Sequence, residues 1–389
     1  MGFFALANSL FVVKLSQFSS ISPSQASAIV TFGVVSIVSC PTYVARQVVM
    51  GLDYRLSAFS VPIIILIIST AIIGIISFIV VVNLAKRIVP DPSTSYMTIS
   101  IFNKPVLSIV MILIGIAMFS IGIVLNIRSH QNYGVAATNF SAVMLLSNGV
   151  IGIISYQKNV AELDAWYKVI ATITSGICIT SILFVLQTLT YINNNKKDLQ
   201  WKDNQFATLR LLYTAIAIIG LIVALIGAKA SHYPRDIFDH SIRYSPRSDS
   251  NNICMLASAL LTGGIGILSL GLLNQEIWGF PTLFIAVTTF TTATIGLDKH
   301  YVDGQILDRP YFALNICNSI GSLYTIGLIL FTYLVQPYSY TNLHLASWII
   351  PAIVIPSHIL SMVLIAYFSI KSAVLAVRSL EDEISEVKA

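Results

Sequence analysis

Long apolar runs separated by short polar connections fill the chain from residue 61 onward. Nine can be drawn, at about 61–83, 105–127, 140–156, 166–192, 207–228, 253–273, 279–297, 311–335 and 346–370. Each is close to the ~20 residues that a bilayer core requires, and 140–156 and 279–297 are the shortest. The pattern predicts an all-α fold, a polytopic transmembrane helical bundle of about nine spans, over 61–370. Ahead of it, Ala28 to Val38 is apolar but below the roughly 17 residues needed to cross. Residues 1–60 therefore read as an N-terminal interfacial segment with a re-entrant stretch or an extra span. Behind it, 371–389 keeps helical apolar spacing and carries Glu381, Asp382, Glu383 and Glu386. This predicts an acidic amphipathic tail that continues the last helix into water.

Composition agrees with that picture and narrows it. Hydrophobic residues make up 56% of the 389 and charged residues 10%, whereas an ordinary soluble domain carries about 25% charged residues. The net charge of +5 is scattered, and no basic run exceeds the pairs Lys86-Arg87 and Lys196-Lys197, so no nucleic-acid partner is expected. The four cysteines, Cys40, Cys178, Cys254 and Cys317, form no C-x-x-C and no loop pair, which argues against a stapled ectodomain or a zinc site. Counting Lys and Arg on the two sides of nine spans places the richer side, with the C-tail and 229–252, in the cytoplasm. The sequon Asn139-Phe140-Ser141 then falls on the outer face, close to a span.

A small-residue stripe occurs twice, in Met144 to Ser155 (MLLSNGVIGIIS) and Ser258 to Ser269 (SALLTGGIGILS). Gly149, Gly152 and Ser155 in one, and Gly263, Gly266 and Ser269 in the other, follow at i, i+3 and i+6. Gly115 and Gly122 precede the first, and Gly220 and Gly227 the second, seven apart and so on one helix face. These eight glycines are candidate helix-packing positions, because small side chains let membrane helices approach. The echo outlines three-span copies, 105–192 and 207–297. An offset of three spans would invert one copy, a transporter architecture.

The Gly-x6-Gly span followed by SNGVIGIIS or LTGGIGILS and a tight turn resembles the membrane-spanning four-domain family A, as a duplicated unit. The resemblance covers 105–228 and more loosely 207–335, without that family's large cysteine-bearing outer loop. It implies a non-enzymatic membrane protein that associates with itself or with receptors, and it assigns no functional residue.

Chemistry has few candidates. No Asp, Glu, Lys or Arg falls near the midpoint of a span, which weighs against a proton- or sodium-coupled pathway. The embedded polar groups are Asn148, Gln187, Asn315, Asn318 and His358. Asn315 and Asn318 share a helix face and, with His358, form a candidate solute site. Pro351 and Pro356 predict a bend in the last span, turning His358 toward a backbone carbonyl or the Asn315 and Asn318 pair. His232, Asp236, Asp239, His240, Asp298, His300 and Asp303 offer metal donors in two loops, but solvated loop residues are the commoner reading. No P-loop, GxSxG, HExxH or dinucleotide motif is present, so no metal, no cofactor and no enzyme activity are expected. Two functions fit best, a multi-pass protein acting through packing with lipid, a partner membrane protein or its own copies, and a transporter or channel for a neutral or weakly polar solute; an intramembrane or membrane-surface metalloenzyme is the third and weakest.

Overall fold

The computed structural model describes residues 23–53, 60–88, 104–128, 135–158, 160–194, 202–230, 246–273, 276–298, 304–335 and 353–388. These form ten helices, with no strand among the described residues. They are α1 (Pro23–Asp53), α2 (Ser60–Arg87), α3 (Lys104–Arg128), α4 (Val135–Lys158), α5 (Ala161–Asn194), α6 (Lys202–Ala230), α7 (Pro246–Leu273), α8 (Glu276–Asp298), α9 (Gly304–Val335) and α10 (Ile355–Lys388). Helices are the outcome expected of apolar runs in hydrocarbon, where every backbone N–H and C=O needs a partner inside its own segment. Many hydroxyls are absorbed the same way: Ser147, Thr174 and Ser269 each donate to the carbonyl four residues back.

Eight of the helices are long and apolar enough to cross a membrane, among the described residues. The chain is a multi-pass membrane protein. The apolar runs Ala26–Pro41 and Pro281–Leu297 are shorter, so the span expected at 279–297 falls under the length criterion. Yet α8 lies antiparallel along α7 for its whole apolar length, since a Cβ on Gly296 would touch Asn252 and one on Gly266 would touch Leu283 and Thr282. It therefore traverses the same thickness as its neighbour.

The helices divide into two compact units, Met1–Pro234 and Arg235–Ala389. In the first, α3, α4, α5 and α6 form a closed ring, each packed on the next and α6 on α3. Outside this ring α1 lies against α4 and α5, with Phe32 edge-on to Trp166 at 5.2 Å, and α2 packs on α1. Trp166 is buried rather than standing as an interface anchor. The rest of α2 presents Ile64, Ile65, Ile68, Ile72 and Ile75 outward, as a lipid-facing helix does. In the second unit α7, α8, α9 and α10 form another closed ring. The boundary between units falls inside the second of the three-span copies outlined by the glycine echo.

Two local features bear on the expectations from sequence. The last helix is α-helical from Ile355 to Lys388 and is preceded by π-helical residues 353–354, so Pro356 sits in its first α-helical turn. Pro351, and with it the segment over which the two prolines are expected to bend the span, lies outside the described residues. Asn139 of the sequon is inside α4 and buried, and Ser141 is bonded to Tyr213, which leaves no room for a glycan.

Candidate functional site

Each ring is tied across its diagonals rather than only between neighbours. In the second unit Tyr311 on α9 donates its O–H to Asn252 Oδ1 on α7 at 2.5 Å. At the other end of that ring Thr282 on α8 and His358 on α10 share a hydrogen bond of 2.6 Å. The two levels are set by spacing. On α7, α8 and α10 the residues that build them, Asn252 and Gly266, Thr282 and Gly296, His358 and Ser372, are each fourteen apart. Fourteen residues are nearly four full turns and ~21 Å of rise, which returns to the same face. One level holds Asn252, Gly296, Tyr311 and Ser372, with Asn251 donating to Phe368 O at 3.1 Å and also to Ser372. The other holds Gly266, Thr282 and His358, with Thr325, fourteen residues after Tyr311, at the same register on α9.

The first unit repeats this plan with different chemistry. Lys104 on α3 pairs with Asp164 on α5 and donates to Ser155 Oγ on α4 at 2.8 Å, while Ser155 also bonds Asp164. The ammonium lies 5.1 Å over the Tyr167 ring. Fourteen residues before Ser155, Ser141 meets Tyr213 of α6 at 2.6 Å. Fourteen after Tyr213 comes Gly227, whose missing Cβ leaves space for Met111 and the Tyr167 hydroxyl.

Between their levels the rings differ. The first is filled by glycine seams: a Cβ would come within 2.7 Å of Leu146 at Gly115, 2.6 Å of Ser108 O at Gly149, 2.6 Å of Tyr167 at Gly152 and 2.9 Å of Leu145 at Gly220. Gly122 is buried on α3. In the second ring Gly266 would meet Leu283 at 2.9 Å, but Gly263 would meet only Ala286, at an ordinary 3.7 Å. Gly149→Ala is therefore expected to destabilise by about 1–3 kcal/mol, because the obstructing atom is a backbone carbonyl. Gly263→Ala should be neutral or stabilising. Thermal unfolding of the two variants in detergent checks this, and equal melting temperatures would contradict it.

The second ring is filled by uncharged polar groups. Asn315 donates to Tyr311 O at 3.0 Å and Asn318 to Thr292 Oγ1 at 2.9 Å. Both residues are fully buried, and their Oδ1 atoms have no hydrogen-bond partner among the described residues. The same holds for the buried hydroxyls of Thr262, Thr289, Ser322 and Ser369. In the first ring the side-chain atoms in this condition are the oxygens of Asn139 and Asn148. Buried polar atoms are nearly always satisfied by protein or by bound solvent, so this concentration marks the α7–α10 interior as the candidate site. Between the two levels no charged residue occurs on α7, α8 or α9, and on α10 the exposed Lys371 is the single one.

Of the residues expected to act together, Asn315 and Asn318 lie in this interior. His358 is placed at one end of it, on Thr282 instead of on the asparagines. The amide pair has neighbours that a linear reading did not single out, Asn252, Thr282, Thr289, Thr292 and Tyr311; the threonine-rich run from Thr282 to Thr294 was their one visible signal. The donors of the metal reading at 231–245 and 299–303 lie outside the described residues, and no His, Cys, Asp or Glu group suited to a metal occurs among the described ones. No protein-family model matches this sequence, and no curated protein or solved structure matches it.

Proposed function

We propose that this membrane protein is a non-enzymatic transporter or channel for a small uncharged polar solute, with the α7–α10 ring as its path. The observation that carries this reading is the pair of buried, unpartnered amide oxygens of Asn315 and Asn318. Leaving a buried acceptor unmade costs about 1–3 kcal/mol, which a purely structural core avoids by using apolar side chains. The absence of buried charge between the two levels, where the exposed Lys371 is the one charged residue, selects against ions. Packing with partner proteins is the weaker reading, because Gly115, Gly149, Gly152, Gly220 and Gly227 all face side chains of their own unit. We also read the two rings as one duplicated four-span unit, since both place their cross-ring bonds on corresponding helices, with the C-tail in the cytoplasm.

The full chain reconstituted in vesicles tests this. Stopped-flow light scattering under a glycerol or urea gradient should show faster equilibration than in empty vesicles. The double variant Asn315→Leu, Asn318→Leu should lose at least tenfold of the added rate. Parent vesicles no more permeable than empty ones would refute the proposal.

A further inference from the structure

Resting on that reading, we propose that the solute is a compact molecule with several O–H or N–H donors, of the polyol or urea class. We place it between the two cross-ring levels of α7–α10, each of which closes the site toward one face of the membrane.

The donor requirement follows from how the amides are oriented. Thr292 donates its hydroxyl to Thr288 O at 2.7 Å, so its oxygen must accept from Asn318, which fixes that side chain with its Nδ2 on Thr292. Asn315 and Asn251 point their Nδ2 groups at backbone carbonyls, Tyr311 O and Phe368 O. Flipping any of the three would set oxygen against oxygen. What Asn315 and Asn318 leave unpartnered between the levels is an acceptor, Oδ1, while at the Asn252 level the orphans are one acceptor, Asn251 Oδ1, and one donor, Asn252 Nδ2. A bare acceptor such as a ketone cannot satisfy the two oxygens between the levels, whereas a molecule rich in O–H or N–H groups can, with the hydroxyls of Thr289 and Ser322 serving as either partner.

The closures follow from the diagonals. A bond between neighbouring helices leaves the middle of a ring open, but Tyr311 to Asn252 and Thr282 to His358 cross it. Both join neutral groups, with Tyr311 also in side-chain hydrogen bonding with Ser372 and Asn315, and each hydrogen bond of that kind contributes a factor of about two- to tenfold in an equilibrium, small enough to open and re-form. Each level also contains a glycine, Gly296 or Gly266, against which a side chain of the other helix packs. The levels are inverted copies: α7 supplies Asn252 then Gly266, and α8 supplies Thr282 then Gly296, in the same order and spacing but running in opposite directions. Two equivalent closures facing opposite sides of a central site are what alternating access uses.

Thr289 is seven residues from each level on α8 and fully buried, so it reports on both closures. In the full chain with its four cysteines replaced by alanine, Thr289→Cys should react slowly with a membrane-impermeant thiol reagent added from either face. Tyr311→Phe should raise labelling about two- to tenfold from the face where α7 begins, and Thr282→Val by a similar factor from the opposite face only. Asn252→Leu and His358→Phe serve as second variants if either of these fails to fold. Glycerol or urea should slow labelling in the opened variants. Rapid labelling of the parent, or single variants that label from both faces alike, would overturn the closures. Protection by sodium or potassium but not by glycerol or urea would overturn the solute class. Labelling requires no flux, so a protein that switches faces yet passes no solute would refute the transport reading and leave the closures standing.

Discussion

Removing one member of the Lys104 and Asp164 pair is expected to damage the protein far more than removing both. The pair is nearly out of solvent, with side-chain exposures of 10% and 17%. Lys104→Met alone strands a carboxylate beside Ser155, and Asp164→Leu alone strands an ammonium over the Tyr167 ring. Losing one partner of a buried pair typically costs about 3–5 kcal/mol, whereas an apolar replacement of the whole pair is often neutral. The double variant should therefore recover most of the loss. The cluster joins α3, α4 and α5 at one end of the first ring, so the single variants should also expose that end to proteolysis. Melting temperatures of the two singles and the double in detergent give the coupling. Additive losses would mean that the charges act separately through solvent.

The pair also shows where a linear reading stops. Lys104 is the first residue of α3 and Asp164 the fourth of α5, so along the chain both look like solvated residues of polar connections. Only the ring, which sets α3 diagonally across from α5, turns them into one buried group. The spans themselves were legible because hydrocarbon demands an apolar run of fixed length, and α2, α3 and α6 offer little else.

A glycine echo of this kind arises from helix packing as readily as from a repeat. Any tight antiparallel pair needs small residues at three- and four-residue spacing, so α4 against α3 and α7 against α8 arrive at similar stripes while holding different places in their rings. On the reading of the two rings as a duplicated four-span unit, the features that correspond lie elsewhere. Lys104 with Asp164 matches Asn252 with Tyr311, and Ser141 with Tyr213 matches Thr282 with His358. These residues share a level but not a chemical type, and no comparison of letters brings them together. The fourteen-residue interval does, once a ring is known to exist. In the second ring the small polar residues that fill the space between levels are individually ordinary in membrane helices, where serine and threonine bond their own backbone. What sets the second ring apart is the concentration of atoms unpartnered among the described residues, the amide oxygens of Asn251, Asn315 and Asn318 with the hydroxyls of Thr262, Thr289, Ser322 and Ser369, against the oxygens of Asn139 and Asn148 in the first.

The Asn315 and Asn318 oxygens lead to the second large expected effect, in which stability and transport move in opposite directions. Asn318→Leu keeps the branched shape and removes an unpartnered acceptor. Its lost bond to Thr292 leaves the threonine hydroxyl still donating to Thr288 O. Asn315→Leu likewise leaves the Tyr311 carbonyl with its helical partner. Relieving a buried unsatisfied group returns about 1–3 kcal/mol, while an interhelical hydrogen bond in a membrane contributes about 0.6 kcal/mol on average. Each substitution should thus raise stability by about 1 kcal/mol, visible as a higher melting temperature of the full chain in detergent. The same substitutions should lower glycerol or urea flux at least tenfold, because the acceptors that replace the solute's hydration are gone. A structural role for the amides predicts the reverse sign for stability: melting temperatures that fall with Asn315→Leu and Asn318→Leu, and flux that falls only in proportion, would make these residues interhelical ties and remove the ground for a solute site in α7–α10.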